Sequence, residues 1–272
     1  MFSKFNYCPS ISFYNTCINK YLSSGNGIYA EHQKEVQACL SDYISEDGII
    51  NGTNLKEDWF SITKKDVFIS HSHKDLNRVK AFAGWLHDVF GVEAFIDSCS
   101  WGYCDELLNR IDKKYCYKTS TKTYDYDLRN YTTSHVHMML STALTEMMDS
   151  TECIIFFNTP SSINMSDELN AIKKKEKTTS PWIYHELMMT TMLRPNPPKR
   201  SQIVLEQFSL RHDERASFLE INYDVSKAFK SMPQLTDDNL KLWNKQWIDP
   251  SKEYGAHPLD VLYNIVFPKQ KG

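Results

Sequence analysis

An α/β fold built on a parallel sheet is the class this sequence predicts, and three observations predict it. Val67-Phe68-Ile69 and Cys153-Ile154-Ile155-Phe156-Phe157 are short, continuous apolar runs, as expected of strands buried on both faces. Between them, Val79, Phe82, Ala83, Leu86, Val89 and Phe90 form one apolar stripe at helical spacing. Strands and helices then alternate along the chain, and a parallel return needs such a crossover.

The elements follow in order. Residues 1–27 show little periodicity, and Ser23-Ser24-Gly25-Asn26-Gly27 reads as a turn or linker. Val36, Leu40, Tyr43 and Ile44 predict a helix that starts near Tyr29. Asp47-Gly48 and Asn51-Gly52 interrupt the chain, and Trp59 and Phe60 are expected to pack this part onto the main domain. The strand at Val67–Ile69 runs into the polar turn Ser70–Asp75 and then a helix to Phe90, which Gly91 stops. Ala94-Phe95-Ile96-Asp97 is a short strand. A loop with Ser98, Ser100, Trp101 and Gly102 leads to a helix marked by Cys104, Leu107, Leu108 and Ile111.

Residues 113–133, rich in Tyr, Thr and Lys, are too long for an ordinary connection and read as a functional loop or insertion. Val136, Met139, Leu140, Ala143, Leu144 and Met147 mark a helix that feeds the strand Cys153–Phe157. A polar loop to about Ser166, a short polar helix, a helix over Trp182–Glu186 and a strand near Gln202-Ile203-Val204-Leu205 come next. Thr236 is placed to cap a helix holding Leu240, Trp243 and Trp247, and Leu259, Leu262, Ile265 and Val266 predict a last helix ended by Pro268. In parallel sheets ligands bind at the carboxyl ends of strands. The turns at Ser70–Asp75, Asp97–Gly102 and Asn158–Ser162 should therefore share one rim.

Composition narrows the function classes. At 272 residues the chain can build one large core or two modest ones, and 41% hydrophobic with 24% charged residues reads as soluble and globular. A net charge of -3 gives no domain-wide basic surface, so nucleic-acid binding is not expected. Lys173-Lys174-Lys175 reads as a solvated helix face. The sequence has no apolar run of about 18 residues, so no membrane span is expected. Polar residues follow Met1–Cys8 where a secretory signal would have its apolar stretch, so no export is expected. The odd cysteine number, seven, with irregular spacing points to free thiols in a reducing cytoplasm. Cys99, Cys104 and Cys116 do not have a zinc-site spacing.

Two constellations carry chemistry. His71-Ser72-His73-Lys74-Asp75 follows an apolar strand, as in metal-dependent hydrolases where two His and an Asp hold a water-activating ion. That motif continues with a further His, and here Leu76 opens a helix stripe instead. His135 and His137 are two apart on a helix and point to different faces. A helix-capping turn, or one that touches a ligand's phosphates or ribose, are the other readings. In the second, Trp182 lies one helical turn before Glu186 on the same face. An indole beside a carboxylate can stack on a base while the carboxylate steadies an oxocarbenium ion on the adjoining sugar, the demand of glycosidic-bond cleavage. A solvated Glu and a Trp that anchors its helix to the core are the ordinary alternative.

In order and in kind, these segments resemble a TIR (Toll/interleukin-1 receptor) domain. Asp66–Asp75 looks like its first strand and turn. Phe95-Ile96-Asp97 with Gly102 looks like the second strand and BB loop. Cys153–Phe157 is similar to the fourth strand, and Ser180-Pro181-Trp182 with Glu186 to the W-x-x-x-E segment of NAD-consuming members. The resemblance covers roughly residues 64–210. It implies a flavodoxin-like parallel sheet flanked by helices, with helical extensions at both ends, over 1–63 and over 211–272, the latter packed on the TIR-like domain.

It further implies an NAD glycohydrolase or ADP-ribosyl cyclase with Glu186 as the catalytic carboxylate. Trp182 would shape the pocket, and Ser70, His71, Ser72, Asp97 and Trp101 would contact the dinucleotide. NAD is then the substrate, and no cofactor or metal is required. Ser134–Leu140 and Phe157-Asn158-Thr159 are most like prokaryotic members. Some of these act in Thoeris-type anti-phage defence and make a nucleotide signal for a separate effector. TIR domains also self-associate through the loop equivalent to Asp97–Gly102, so an adaptor that works by assembly alone is the rival reading. His71 departs from the basic residues of eukaryotic NAD-cleaving members, and the 113–133 segment has no counterpart in a minimal TIR domain.

Overall fold

The structure is a computed structural model that describes residues 1–34, 40–44, 50–60, 64–165, 176–198, 223–249 and 257–268. The chain opens with strand β1 (Ser3–Tyr7), helix α1 (Ile11–Lys34) and helix α2 (Gly52–Trp59). β2 (Val67–Ser70), α3 (Leu76–Phe90), β3 (Ala94–Ile96) and α4 (Ser98–Ile111) follow. A small hairpin, β4 (Tyr117–Lys118) and β5 (Thr123–Tyr124), leads into α5 (Tyr126–Ser150) and β6 (Cys153–Phe157). Next come β7 (Asn164–Met165), β8 (Glu176–Thr178), α6 (Pro181–Met192), β9 (Tyr223–Asp224) and α7 (Ser226–Lys230). β10 (Gln234–Leu235), α8 (Asp237–Trp247) and α9 (Pro258–Val266) close the order.

Among the described residues the central sheet has five strands in the order β10-β1-β6-β2-β3, and every neighbouring pair is parallel. Helices cover both faces, which confirms the α/β class. Side chains alternate across the sheet as the pleat requires. Val67, Ile69, Ile155 and Phe157 face a core shared with α1, α3, α8 and α9, where Phe82, Trp243 and Tyr263 are buried. Phe68 and Ile154 face the opposite core, built with Trp59 of α2, Leu107 of α4 and Leu140 and Leu144 of α5. β7, β8 and β9 form a separate antiparallel sheet beside α6 and α7.

Several expectations hold in detail. Gly91 ends α3 in the left-handed conformation (φ 65°), and its N–H bonds back to the last turn, to the carbonyls of His87 and Leu86. Thr236 caps α8 in a reciprocal capping box with Asn239. The six cysteines among the described residues are all free thiols. Among the described residues no helix is long and apolar enough to cross a membrane.

Other expectations change. Residues 3–7, without any periodic signal, form β1, an interior strand between β6 and the edge strand β10. The parts before residue 64 and after residue 210 therefore each supply a strand to the sheet, and neither extension is purely helical as expected. Ser23–Gly27 is not a turn but lies inside α1. The physical reason is contact: a Cβ on Gly25 would stand 1.8 Å from the Lys80 carbonyl oxygen, and one on Gly84 2.3 Å from that of Tyr21. α1 and α3 thus pack backbone to backbone where these glycines meet.

Residues 98–102, read as a loop, are the first turns of α4. The 113–133 segment is not one long loop. It contains the hairpin and the start of α5, whose N-cap Asp125 accepts a hydrogen bond from the Leu128 N–H at 3.0 Å. The strand expected at Gln202–Leu205, the polar helix before residue 176 with Lys173–Lys175, and Val36 lie outside the described residues.

Candidate functional site

Local sequence places each group. β2 delivers Ser70 and His71 to the carboxyl end of the sheet, and β3 delivers Asp97. α6 begins where Ser180 Oγ accepts from the Ile183 N–H at 3.3 Å, and Pro181 occupies the first helical position. This start points Ile183, Glu186, Leu187 and Thr190 inward. The third rim turn joins them: Thr159, just after β6, donates to Asp75 Oδ2 at 2.5 Å. The three strand-end turns thus share one rim.

At the centre, Ser70 Oγ donates to Glu186 Oε2 at 2.5 Å across 116 residues of sequence. The His71 backbone N–H donates to Asp97 Oδ2 at 3.2 Å. His71 Nδ1 lies 2.5 Å from Asp97 Oδ1, out of line for a hydrogen bond. Side-chain exposure is 0% for His71 and Asp97, and Glu186 as a residue is 1% exposed. Glu186 Oε1 is buried without a well-aligned hydrogen bond.

Burial dominates the electrostatics of this cluster. It pushes Asp97 up to about 8, against the pull of backbone N–H groups from His71 and Ser98. It holds Glu186 well above the usual carboxylate range, helped by the neighbouring Asp97 charge. It lowers His71 to about 4, although Glu186 draws it upward. At neutral pH His71 is therefore neutral, and the two carboxyls together keep at least one proton. Ionised in such surroundings, either carboxylate would strongly favour a positive charge placed beside it.

A cleft of about 340 Å³ opens next to this cluster, and Tyr29, His73, Ser98, Gly102, His137 and Trp182 are among the residues lining it. Trp182 meets the His137 ring edge-to-face at 5.3 Å. Glu186 itself does not line the cleft.

Of the expected site residues, the structure brings Ser70, His71, Asp97 and Glu186 together and sets Trp182 in the neighbouring wall. Ser72 is buried in the turn, where its carbonyl accepts from the Asp75 N–H at 2.8 Å. The side chain of Trp101 lies outside the described residues. Tyr29 and His137 were not foreseen as cleft residues. Tyr29 comes from α1, far upstream of every recognisable motif, and its hydroxyl faces Ser98 and Cys99 at the start of α4.

The turn His71-Ser72-His73-Lys74-Asp75 does not gather its side chains around one point. His71 turns inward to Asp97, His73 faces the cleft, and Asp75 is engaged by Thr159 and by Arg78 at 3.1 Å. Among the described residues no group of His, Cys, Asp and Glu could hold a metal ion. Comparison of the chain with protein-family models, curated proteins and solved structures gave no match.

Proposed function

We propose that this protein is a TIR-like enzyme that cleaves NAD at the bond between nicotinamide and ribose. The observation that carries the reading is the buried Glu186 carboxyl, held by Ser70 and faced by Asp97, below a cleft walled by Trp182. A carboxylate in a low-dielectric site beside an indole suits a substrate that arrives cationic and leaves an oxocarbenium ion. The nicotinamide ring carries its own positive charge, so the reaction needs no metal to create the electrophile. A cationic substrate placed beside Glu186 would favour loss of its proton to solvent, the ionised carboxylate would then stabilise the ribosyl cation, and Trp182 would stack on the departing ring. Water yields ADP-ribose; an internal nucleophile yields a cyclic product.

Sheet order supports the TIR-like part of the reading. β3-β2-β6 has the 2-1-3 order that begins a flavodoxin-like sheet. The departure is on the other side, where β1 and β10 occupy the remaining positions. In this reading the protein is a prokaryotic defence enzyme of the Thoeris kind, and its nucleotide product signals to a separate effector.

One observation favours the rival, a scaffold that acts by assembly: the carboxyl cluster is sealed from solvent. Self-association that shifted the Asp97–Gly102 segment and opened the cleft onto Glu186 would reconcile the two. Nicotinamide release from NAD, followed by chromatography and mass spectrometry with Glu186→Gln in parallel, tests the proposal. Release that the variant lacks supports it. No release under crowding or at high protein concentration favours the scaffold.

A further inference from the structure

Residues 113–131 form a surface that the proposed chemistry does not use. They carry five basic and two acidic side chains, a net +3 in a chain whose total is -3. They also hold five of the fifteen tyrosines. All five are exposed, from 37% at Tyr115 to 77% at Tyr126. Exposed tyrosines at this density are the compositional mark of a protein-recognition surface, because the ring offers contact area at little cost in conformational entropy.

The surface is pre-organised. Tyr117 and Tyr124 sit opposite each other across β4 and β5, edge-to-face at 5.3 Å. Arg129 lies over the Tyr124 ring at 5.2 Å and is itself held by buried Asp112 at 2.8 Å. Lys118 closes the hairpin onto Asp125 at 2.5 Å. Of the nearby acidic groups, Asp112 is engaged by Arg129 and Thr132 and Asp125 by Lys118 and the α5 N-terminus, while Asp127 stands exposed on the first turn of α5. Among the described residues Lys113, Lys114 and Lys122 have no carboxylate within 4.0 Å. What faces outward is thus mainly a set of hydrogen-bond donors: ammonium groups free of carboxylate partners and phenolic hydroxyls.

We propose that the β4–β5 hairpin with the first turns of α5 docks an acidic, carboxylate-rich segment of a partner protein. Charge complementarity selects that occupant, since residues 113–131 carry a net +3 and offer more cations and O–H donors than carboxylates. A single-stranded nucleic acid fits less well. It needs open ring faces for stacking, and here the edge of one ring of the Tyr117–Tyr124 pair meets the face of the other while Arg129 lies over Tyr124.

The test uses the full chain and fluorescence anisotropy at low salt. The probes are a labelled peptide of alternating Glu and Gly, its Lys–Gly counterpart and an oligothymidylate of equal length. The Glu peptide should bind, the Lys peptide should not, and the oligonucleotide should bind more weakly. The variant Lys113→Glu/Lys114→Glu/Lys122→Glu should weaken Glu-peptide binding at least tenfold.

Tyr117→Ala/Tyr126→Ala, which leaves the charge unchanged, should weaken it at least fivefold; an unchanged affinity there would reduce the surface to bulk electrostatics and overturn the proposal. Tighter binding of the oligonucleotide overturns it in favour of nucleic acid. Dimerisation in sedimentation that the same variants abolish overturns it in favour of a second copy. Circular dichroism of the variants separates loss of binding from loss of fold. Neither variant touches the Glu186 cleft, so failure here leaves the enzymatic reading standing.

Discussion

Replacing Glu186 by Gln should stabilise this protein, and increasingly so as pH rises. Gln is the nearest isostere of a protonated Glu: its carbonyl can accept from Ser70 Oγ, and its amide can donate to Asp97. In the wild type, burial raises the folded-state pKa of Glu186 far above its ordinary value. Unfolded, the same carboxyl titrates near its free value of about 4.3. Above that pH the folded state holds a proton that the unfolded state has released, so stability falls as pH rises.

The slope for one retained proton is about 1.4 kcal/mol per pH unit. The gap in favour of Glu186→Gln should therefore widen as pH rises above the unfolded value of about 4.3, for as long as the folded carboxyl keeps its proton. His71, whose folded pKa is lowered to about 4, acts in the opposite direction: its contribution is lost as pH falls below about 6.5. It does so in both proteins and largely cancels from the difference. Urea unfolding at a series of pH values, followed by fluorescence of the six tryptophans, measures the gap. A gap that does not change with pH would mean that Glu186 is ionised in the folded protein, and the argument from burial would fail. A carboxyl that costs stability where it stands is the kind a site keeps for its chemistry.

Other outcomes follow from single contacts. Gly84→Ala should cost about 2–3 kcal/mol or displace α1, because its Cβ would meet the Tyr21 carbonyl at 2.3 Å and the Gly25 nitrogen at 2.7 Å; calorimetry reads the fall in Tm. Thr236→Ala should cost about 1 kcal/mol by removing one half of the α8 capping box, measured by the same melts. Lys4, half-buried and bonded to the Thr190 carbonyl and Ser231 Oγ, is lowered by burial to about 8. Stability should rise with pH from about 8 towards the unfolded lysine value of about 10.4, and Lys4→Met should flatten that rise. If the enzymatic reading holds, Trp182→Ala should lower nicotinamide release at least tenfold while leaving the far-ultraviolet spectrum unchanged.

The fold class was legible in the sequence because burial writes itself into local composition. A strand covered on both faces, such as Cys153–Phe157, must be apolar throughout, and a helix such as Leu76–Phe90 must carry one apolar stripe. Caps were legible for the same local reason: Gly91 and Thr236 act on backbone groups within a turn of themselves. Candidate site residues at strand ends, Ser70, His71 and Asp97, could be proposed because ligands gather where parallel strands end.

Gly25 shows where local reading stops. Its neighbours Ser23, Ser24, Asn26 and Gly27 suggest a turn, yet the residue is a helical contact, because the Lys80 backbone that it touches lies 55 positions away in the chain. β1 has no distinguishing pattern of its own, and its place between β6 and β10 is decided by partners far along the chain. The same holds for chemistry. The sequence determined which carboxylates, hydroxyls and aromatic rings were present and which lay at strand or helix ends. Only the tertiary structure decided that Ser70 and Asp97 would face Glu186, that α1 would bring Tyr29 to the cleft, and that the cluster would be sealed. Protonation follows from that enclosure, since a carboxyl's pKa depends on its distance from water and from other charges, and neither is a property of neighbours in sequence.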